Sequence, residues 1–268
     1  MRRNPIAVLA SLALTVFLAS SSAAAQTAQQ SADISKHLAE VQANAQSEAA
    51  VLGLGQAYFV AGMFNEALEQ FQAAASLAPN DPAARYEVGS AYMSLKDYGN
   101  AIDALRRAVA LNADYVKALG LLAFAYNSIE RYDEAVTICK TALKYDPSNA
   151  DAYHGLGWAY GGLHRFQDGI AAYQAEVKIR PDYAGARYGL GVMYASIRSF
   201  GLATYELERA VEINPSLPMA HSHLGMVYVA TGDKASAQRE LDALKPLDAE
   251  LAGQLERAIR ESFPPDPK

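Results

Sequence analysis

Apolar side chains recur along this chain at the three- and four-residue spacings of an amphipathic helix, and the whole pattern returns every 34 residues. A tyrosine marks the period: Tyr58, Tyr92, Tyr126, Tyr160, Tyr194 and Tyr228 stand 34 residues apart, with no insertion between them. Four residues before each tyrosine is an aliphatic side chain: Leu54, Val88, Leu122, Leu156, Leu190 and Leu224. Three before it is a small one: Gly55, Gly89, Ala123, Gly157, Gly191 and Gly225. Nine after it, Ala67, Ala101, Ala135, Gly169, Ala203 and Ala237 keep the same step, and thirteen after it come Phe71, Leu105, Cys139, Tyr173, Leu207 and Leu241.

Within a unit, Leu54, Gly55 and Tyr58 share one helical face. The small residue in each helix lets the other helix approach, and the bulky Phe71 column fills the space toward the next unit. Each unit is thus a helix hairpin too small to bury its own apolar face, and stacking supplies the missing contacts. Phe64, Tyr98, Tyr132, Phe166 and Phe200 sit at the turn and wedge the two helices. Boundaries carry helix punctuation: Asp81 before Pro82 reads as an N-cap with a first-turn proline, Asn149 as another cap, and Pro218 as the opening of the sixth unit.

Some residues leave the pattern. Ala113 replaces a closing proline, and Glu176 stands in a column otherwise filled by Ala74, Ala108, Ala142 and Ala210. After the sixth unit, Leu247, Leu251, Leu255 and Ile259 make one stripe, which predicts a covering helix with a polar outer side and a loose tail from Pro264 to Lys268.

The columns resemble the tetratricopeptide repeat, whose pattern runs aromatic-x-x-Leu-Gly-x-x-Tyr, then Ala, Phe and Pro. The resemblance implies an all-α fold: an α-solenoid of six helix-turn-helix units over residues 48–246, starting near residues 48, 82, 116, 150, 184 and 218. These units form a superhelix, closed by a capping helix over residues 247–263. It also implies that the first helices of successive units line a concave groove holding a protein or peptide. By register, the groove positions include Tyr86, Phe124, Asn127, His154, Trp158, Tyr188 and Met226, the expected ligand-binding residues. Of the Lys, Asn and Arg that some family members use against a peptide carboxylate, only Lys117 and Asn127 are present, so an apolar or aromatic segment fits better. Gly120, Gly155, Gly161, Gly162 and Gly189 are expected to leave room around Trp158.

Residues 1–25 stand apart. Arg2 and Arg3, the apolar run from Ile6 to Leu18, and the triplet Ala23-Ala24-Ala25 have the layout of a secretory signal peptide cleaved after Ala25. The apolar run is shorter than the ~20 residues of a spanning helix. Cleavage predicts a periplasmic or secreted chain with no membrane insertion. Retention predicts a membrane-tethered assembly factor. Gln26 to Ser31 reads as a polar linker, followed by a helix from about Asp33 to Ser47.

Charge narrows the partners. The net charge is -6, and no basic cluster suits a nucleic-acid backbone. The single cysteine, Cys139, forms no internal disulfide and lies in the bulky packing column, as an inert thiol. His221 and His223 are two apart on a helix and point to different sides, so they read as surface or groove histidines and not a metal pair. Glu206 and Glu208 read as solvated, and no carboxylate partner is evident for His154. No motif calls for a cofactor, a metal or a catalytic group. An enzyme would require carboxylates gathered beside His154, and Gly155-Leu156-Gly157 lies inside a repeat helix, where it cannot act as a phosphate loop.

Overall fold

A computed structural model describes residues 28–264, and the proposed signal segment lies outside them. The described residues are helical and contain no strand. The helices are α1 (residues 28–43), α2 (Glu48–Val60), α3 (Phe64–Leu77), α4 (Pro82–Ser94), α5 (Tyr98–Leu111), α6 (Val116–Ser128) and α7 (Tyr132–Tyr145). They continue with α8 (Ala150–Gly162), α9 (Phe166–Ile179), α10 (Ala184–Ser196), α11 (Phe200–Ile213), α12 (Pro218–Thr231), α13 (Lys234–Leu244) and α14 (Ala249–Ser262). This is an all-α helical repeat. Its packing divides into two compact units, with the boundary inside α6 between Ala118 and Leu119.

The helix starts follow local chemistry. Ser47, Asp81, Asp97, Asn149, Asp233 and Asp248 each accept a backbone N–H of the first turn, and prolines open α4 and α12. The first helix differs from expectation. It is already formed at residue 28 and ends at residue 43, where Asn44 Oδ1 accepts the Gln46 N–H in a turn.

The turn inside each repeat is built by the tyrosine column. The carbonyls of Tyr58, Tyr92, Tyr126, Tyr160, Tyr194 and Tyr228 each accept the N–H five residues on, at 2.8–2.9 Å. That bond closes the helix end and requires one left-handed residue. Gly62, Lys96, Glu130, His164, Arg198 and Gly232 occupy this position, again 34 residues apart, with φ between 56° and 82°. The four without glycine each cost about 1 kcal/mol in backbone strain. Hydroxyls of the same column tie neighbouring repeats: Tyr92 accepts from Gln72 at 2.9 Å, Tyr194 accepts from Gln174 at 2.9 Å, and Tyr228 donates to Glu208 at 2.6 Å.

In the first unit, Phe71 is fully buried among Ala67, Ala75, Ala84, Val88 and Ala91, between α3 and α4. Burying such a ring contributes roughly 1.5–3 kcal/mol. A Cβ on Gly55 would stand 2.6 Å from the Phe71 ring, so the glycine of α2 is required by the bulk of α3. The same clash joins Gly89 to Leu105, Gly157 to Tyr173 and Gly191 to Leu207, each at 2.6 Å. Two positions depart from this: Ala123, whose partner column holds the smaller Cys139, and Gly225, where a Cβ would meet Leu255 of α14 at 2.5 Å.

In the second unit, α14 packs on α12 and α13 through Ala252, Leu255 and Ile259. Leu247 does not join this seam. It precedes the helix and is 37% exposed, so the stripe begins later than its sequence spacing implies.

Candidate aromatic binding cleft

Five of the seven expected binding residues belong to the second unit and remain at least partly open to solvent. Phe124 and Met226 are each 46% exposed, and His154, Trp158 and Tyr188 are half-buried. The Phe124 and Trp158 rings meet edge to face with centroids 5.3 Å apart. Tyr86 lies in the first unit, half-buried, with its ring 5.3 Å from Tyr115. Burial there raises its phenol above the usual range, and the neighbouring Glu87 adds to the effect.

Asn127 is a correction. It is 1% exposed, and its Nδ2 donates to the Gly155 carbonyl at 3.0 Å, so it joins α6 to α8 from inside and offers nothing to a ligand. The glycines also act differently from expectation. A Cβ on Gly155 would meet Cys139 Sγ at 2.8 Å, on Gly162 the Tyr132 ring at 2.3 Å, and on Gly189 the Tyr173 ring at 2.4 Å. They admit side chains of neighbouring helices. Of the five glycines expected to leave room around Trp158, only Gly120 faces open space.

A cleft nevertheless lies beside Trp158. Its volume is about 640 Å³, and its walls come mainly from α8 and α10, with Tyr132 of α7, Phe166 and Tyr173 of α9 and the turns around them. His154, Trp158, Tyr173, Tyr183, Tyr188 and Val192 form much of the lining. Tyr173 belongs to the repeat-forming column and was not expected at a binding surface. The sixteen lining residues include no Asp, Glu, Lys, Arg, Asn or Gln. Tyr188 is pushed up to about 12 by burial, and its hydroxyl lies 3.4 Å from His223 Nδ1.

His154 does have a carboxylate partner, contrary to the sequence expectation. Its Nδ1 lies 2.9 Å from Glu176 Oε2, across from α8 to α9. Glu176 is fully buried, and its other oxygen accepts from Arg180, one helical turn on. Arg180 also donates to Asp151 at 2.8 Å and stacks 4.6 Å above the Tyr183 ring. Glu176 can occupy an alanine column because this chain of partners satisfies its charge. The sequence signal was available in part: a carboxylate at a buried column demands a cation, and Arg180 stands at i+4. The pair orients the imidazole: Nδ1 donates to the carboxylate, and Nε2 makes no hydrogen bond to a described residue.

Other polar groups expected at the surface also prove to be ties. His221 is 5% exposed, with Nδ1 2.7 Å from Glu240 and Nε2 3.0 Å from the Pro215 carbonyl. Arg187 makes the same pair of contacts one repeat earlier, to Glu206 at 2.8 Å and the Pro181 carbonyl at 3.2 Å. Glu206 and Glu208 are therefore both engaged and not simply solvated. Cys139 is buried, and its thiol is pushed up to about 12 by loss of solvent, which removes its nucleophilic form at neutral pH. Among the described residues, no three His, Cys, Asp or Glu side chains gather as a metal site requires, and no helix is long and apolar enough to cross a membrane.

Comparison with known proteins agrees with this architecture. Tetratricopeptide repeat family models match residues 52–116, 92–158 and 154–218, together running without a gap over more than half of the chain. MamA from Desulfovibrio magneticus RS-1 is 25% identical, with a TM-score of 0.59 over 63% of this chain and 96% of that one. A tetratricopeptide repeat protein from Parabacteroides merdae is 15% identical, with a TM-score of 0.70 over 88% of this chain and 94% of that one. YrrB, described as a TPR protein with an unusual peptide-binding site, is 18% identical, with a TM-score of 0.57 over 69% of this chain and 95% of that one. No curated protein sequence matches the chain. With the helix hairpins, the 34-residue columns and the family models in agreement, the chain belongs to the tetratricopeptide repeat family.

Proposed function

We propose that this protein is a non-catalytic adaptor that holds an uncharged segment of a partner protein in the aromatic cleft of α8 and α10. Tetratricopeptide arrays are scaffolds for protein–protein interaction. The observation that carries the finer reading is the cleft itself: about 640 Å³, aromatic, and free of acidic and basic side chains other than two histidines. Aromatic anchors in a half-buried cleft are what recognition surfaces use. His154 faces one carboxylate that Arg180 already neutralises, an arrangement that orients a ring and does not supply the acid and base pair of a hydrolase. The residue 1–25 layout supports export, with the mature chain beginning at Gln26 and carrying a net charge of -8. Service in cell-envelope assembly or secretion would follow.

Trp158→Ala tests the binding reading. Affinity capture from envelope extracts should lose partners that the parent retains, while far-ultraviolet circular dichroism and the unfolding midpoint stay close to the parent. A cooperative loss of helicity instead would make Trp158 a core residue and remove the argument for the cleft.

A further inference from the structure

We infer that the cleft recognises the side-chain carboxamide of a partner's glutamine or asparagine, held between the Tyr173 hydroxyl and His154 Nε2. The inference rests on the cleft reading above and adds the group that the partner presents to it.

The first argument is an unpartnered polar group on a buried side chain. Tyr173 is 5% exposed, and the other repeats fill its column with Phe71, Leu105, Cys139, Leu207 and Leu241, none of which carries a hydroxyl. A Cβ on Gly157 of α8 would stand 2.6 Å from Tyr173 Cζ, and one on Gly189 of α10 would stand 2.4 Å from it. Two glycines thus seat the hydroxyl-bearing end of the ring between the helices that wall the cleft. The hydroxyl makes no hydrogen bond to a described residue. Among the described residues, the side-chain atoms sealed from solvent without a partner are Asn127 Oδ1 and Arg180 Nε. The Tyr173 hydroxyl is not one of them, so it opens into the cleft that its ring lines. Burial pushes this phenol up, and the charge of Glu176 adds to the effect, so the hydroxyl keeps its proton and can donate it. A phenylalanine would fill the column without an unmade hydrogen bond.

The second argument is the acceptor beside it. The His154 and Tyr173 rings meet edge to face with centroids 5.5 Å apart. His154 Nδ1 donates to Glu176, so the neutral ring presents Nε2 as an acceptor. The His154 side chain is 31% exposed and that of Glu176 not at all, so the open edge of the ring is the one away from the carboxylate, which carries Nε2. Glu176 is itself a departure from an alanine column. The fourth repeat therefore places a donor and an oriented acceptor side by side, both fixed by buried side chains.

The third argument is what can satisfy both. A primary carboxamide carries a carbonyl acceptor and an N–H donor on one edge. A trans peptide group points its C=O and N–H to opposite sides, so the partner's backbone meets one group and misses the other. A carboxylate has no donor for Nε2. An ammonium would shed its hydration in a lining without a carboxylate, and Arg180 already neutralises Glu176. A hydroxyl must serve both groups from one oxygen, and an aliphatic side chain serves neither.

Trp158 is the single tryptophan of the chain, so its emission reports the cleft directly. Full-length protein is titrated with Gly-Gly-X-Gly-Gly peptides, blocked as acetyl and N-methylamide, in which X is glutamine, glutamate, lysine, threonine or norleucine. Emission and calorimetry are read together. The glutamine peptide should saturate, and the other four should bind at least about tenfold more weakly. Tyr173→Phe should weaken the glutamine peptide about tenfold and leave the norleucine peptide unchanged. Its urea unfolding midpoint should stay at or above that of the parent, because the hydroxyl has no partner in the protein to lose. Equal binding of glutamine and any of the other four overturns the carboxamide inference and leaves peptide binding in place. A glutamine preference that survives Tyr173→Phe also overturns it. Silence toward all five peptides overturns it as well, and partner capture by the parent and Trp158→Ala proteins then decides separately whether the cleft binds partners.

Discussion

Arg180→Ala should lower stability by about 3–5 kcal/mol, whereas Glu176→Ala should stay within about 1 kcal/mol of the parent. The asymmetry follows from where each charge lies. Glu176 is fully buried, while the Arg180 side chain is 35% exposed. Removing the arginine leaves an interior carboxylate with only His154 against it. Removing the glutamate restores the residue type of Ala74, Ala108, Ala142 and Ala210 at this column, and Arg180 keeps Asp151 and the Tyr183 face. The double variant should therefore be more stable than Arg180→Ala alone, a reversal that independent contributions do not produce. Urea unfolding midpoints of the three variants measure it. Equal losses for the two single variants would mean that Glu176 stabilises the repeat through packing and not through its charge partners.

Cys139→Leu should cost about 1–3 kcal/mol by overpacking, and Ala123→Gly about 1 kcal/mol through helix propensity. Made together, the two should cost less than their sum by about 1 kcal/mol. The reason is the glycine rule within the repeats. Gly89 with Leu105 and Gly191 with Leu207 are the combination in which a large side chain fills the space a Cβ would occupy. Ala123 with Cys139 is the reverse, a Cβ present and a smaller partner. Recovery is incomplete because Cys139 Sγ also fills the space beside Gly155 on α8. A double-mutant cycle by chemical denaturation reads the coupling, and simple additivity would show that the two columns are sized independently.

Much of the fold was legible because recurrence exposes positions that every repeat must fill in the same way. The tyrosine column, the small column before it and the caps at Asp81 and Asn149 answer to backbone geometry common to all units. The left-handed turn position escaped notice because only Gly62 and Gly232 announce it, while Lys96, Glu130, His164 and Arg198 hide it among ordinary polar residues. The cleft was legible only in part, because its residues do not recur. Register alone placed Trp158 and His154 on the right helix, yet it also placed Asn127 in a groove, where the structure shows it turned inward to the Gly155 carbonyl. Whether such a side chain faces in or out depends on the bulk of residues 28 or more positions away. The glycines illustrate the same limit. Read from the sequence they were empty space, and they are instead seats for Tyr132, Cys139 and Tyr173. The Glu176 and His154 pair joins two helices across 22 residues, a separation outside the one-turn rule that makes Arg180 easy to find.

The central claim is that the cleft of α8 and α10 is the surface partners occupy. A photo-reactive phenylalanine at Ser196, an exposed lining position, compared with one at Thr137, exposed on α7, tests it most directly. Irradiation in intact cells should yield a partner adduct from position 196 and none from position 137. Adducts from position 137 alone, or equally from both, would contradict the assignment of binding to the cleft.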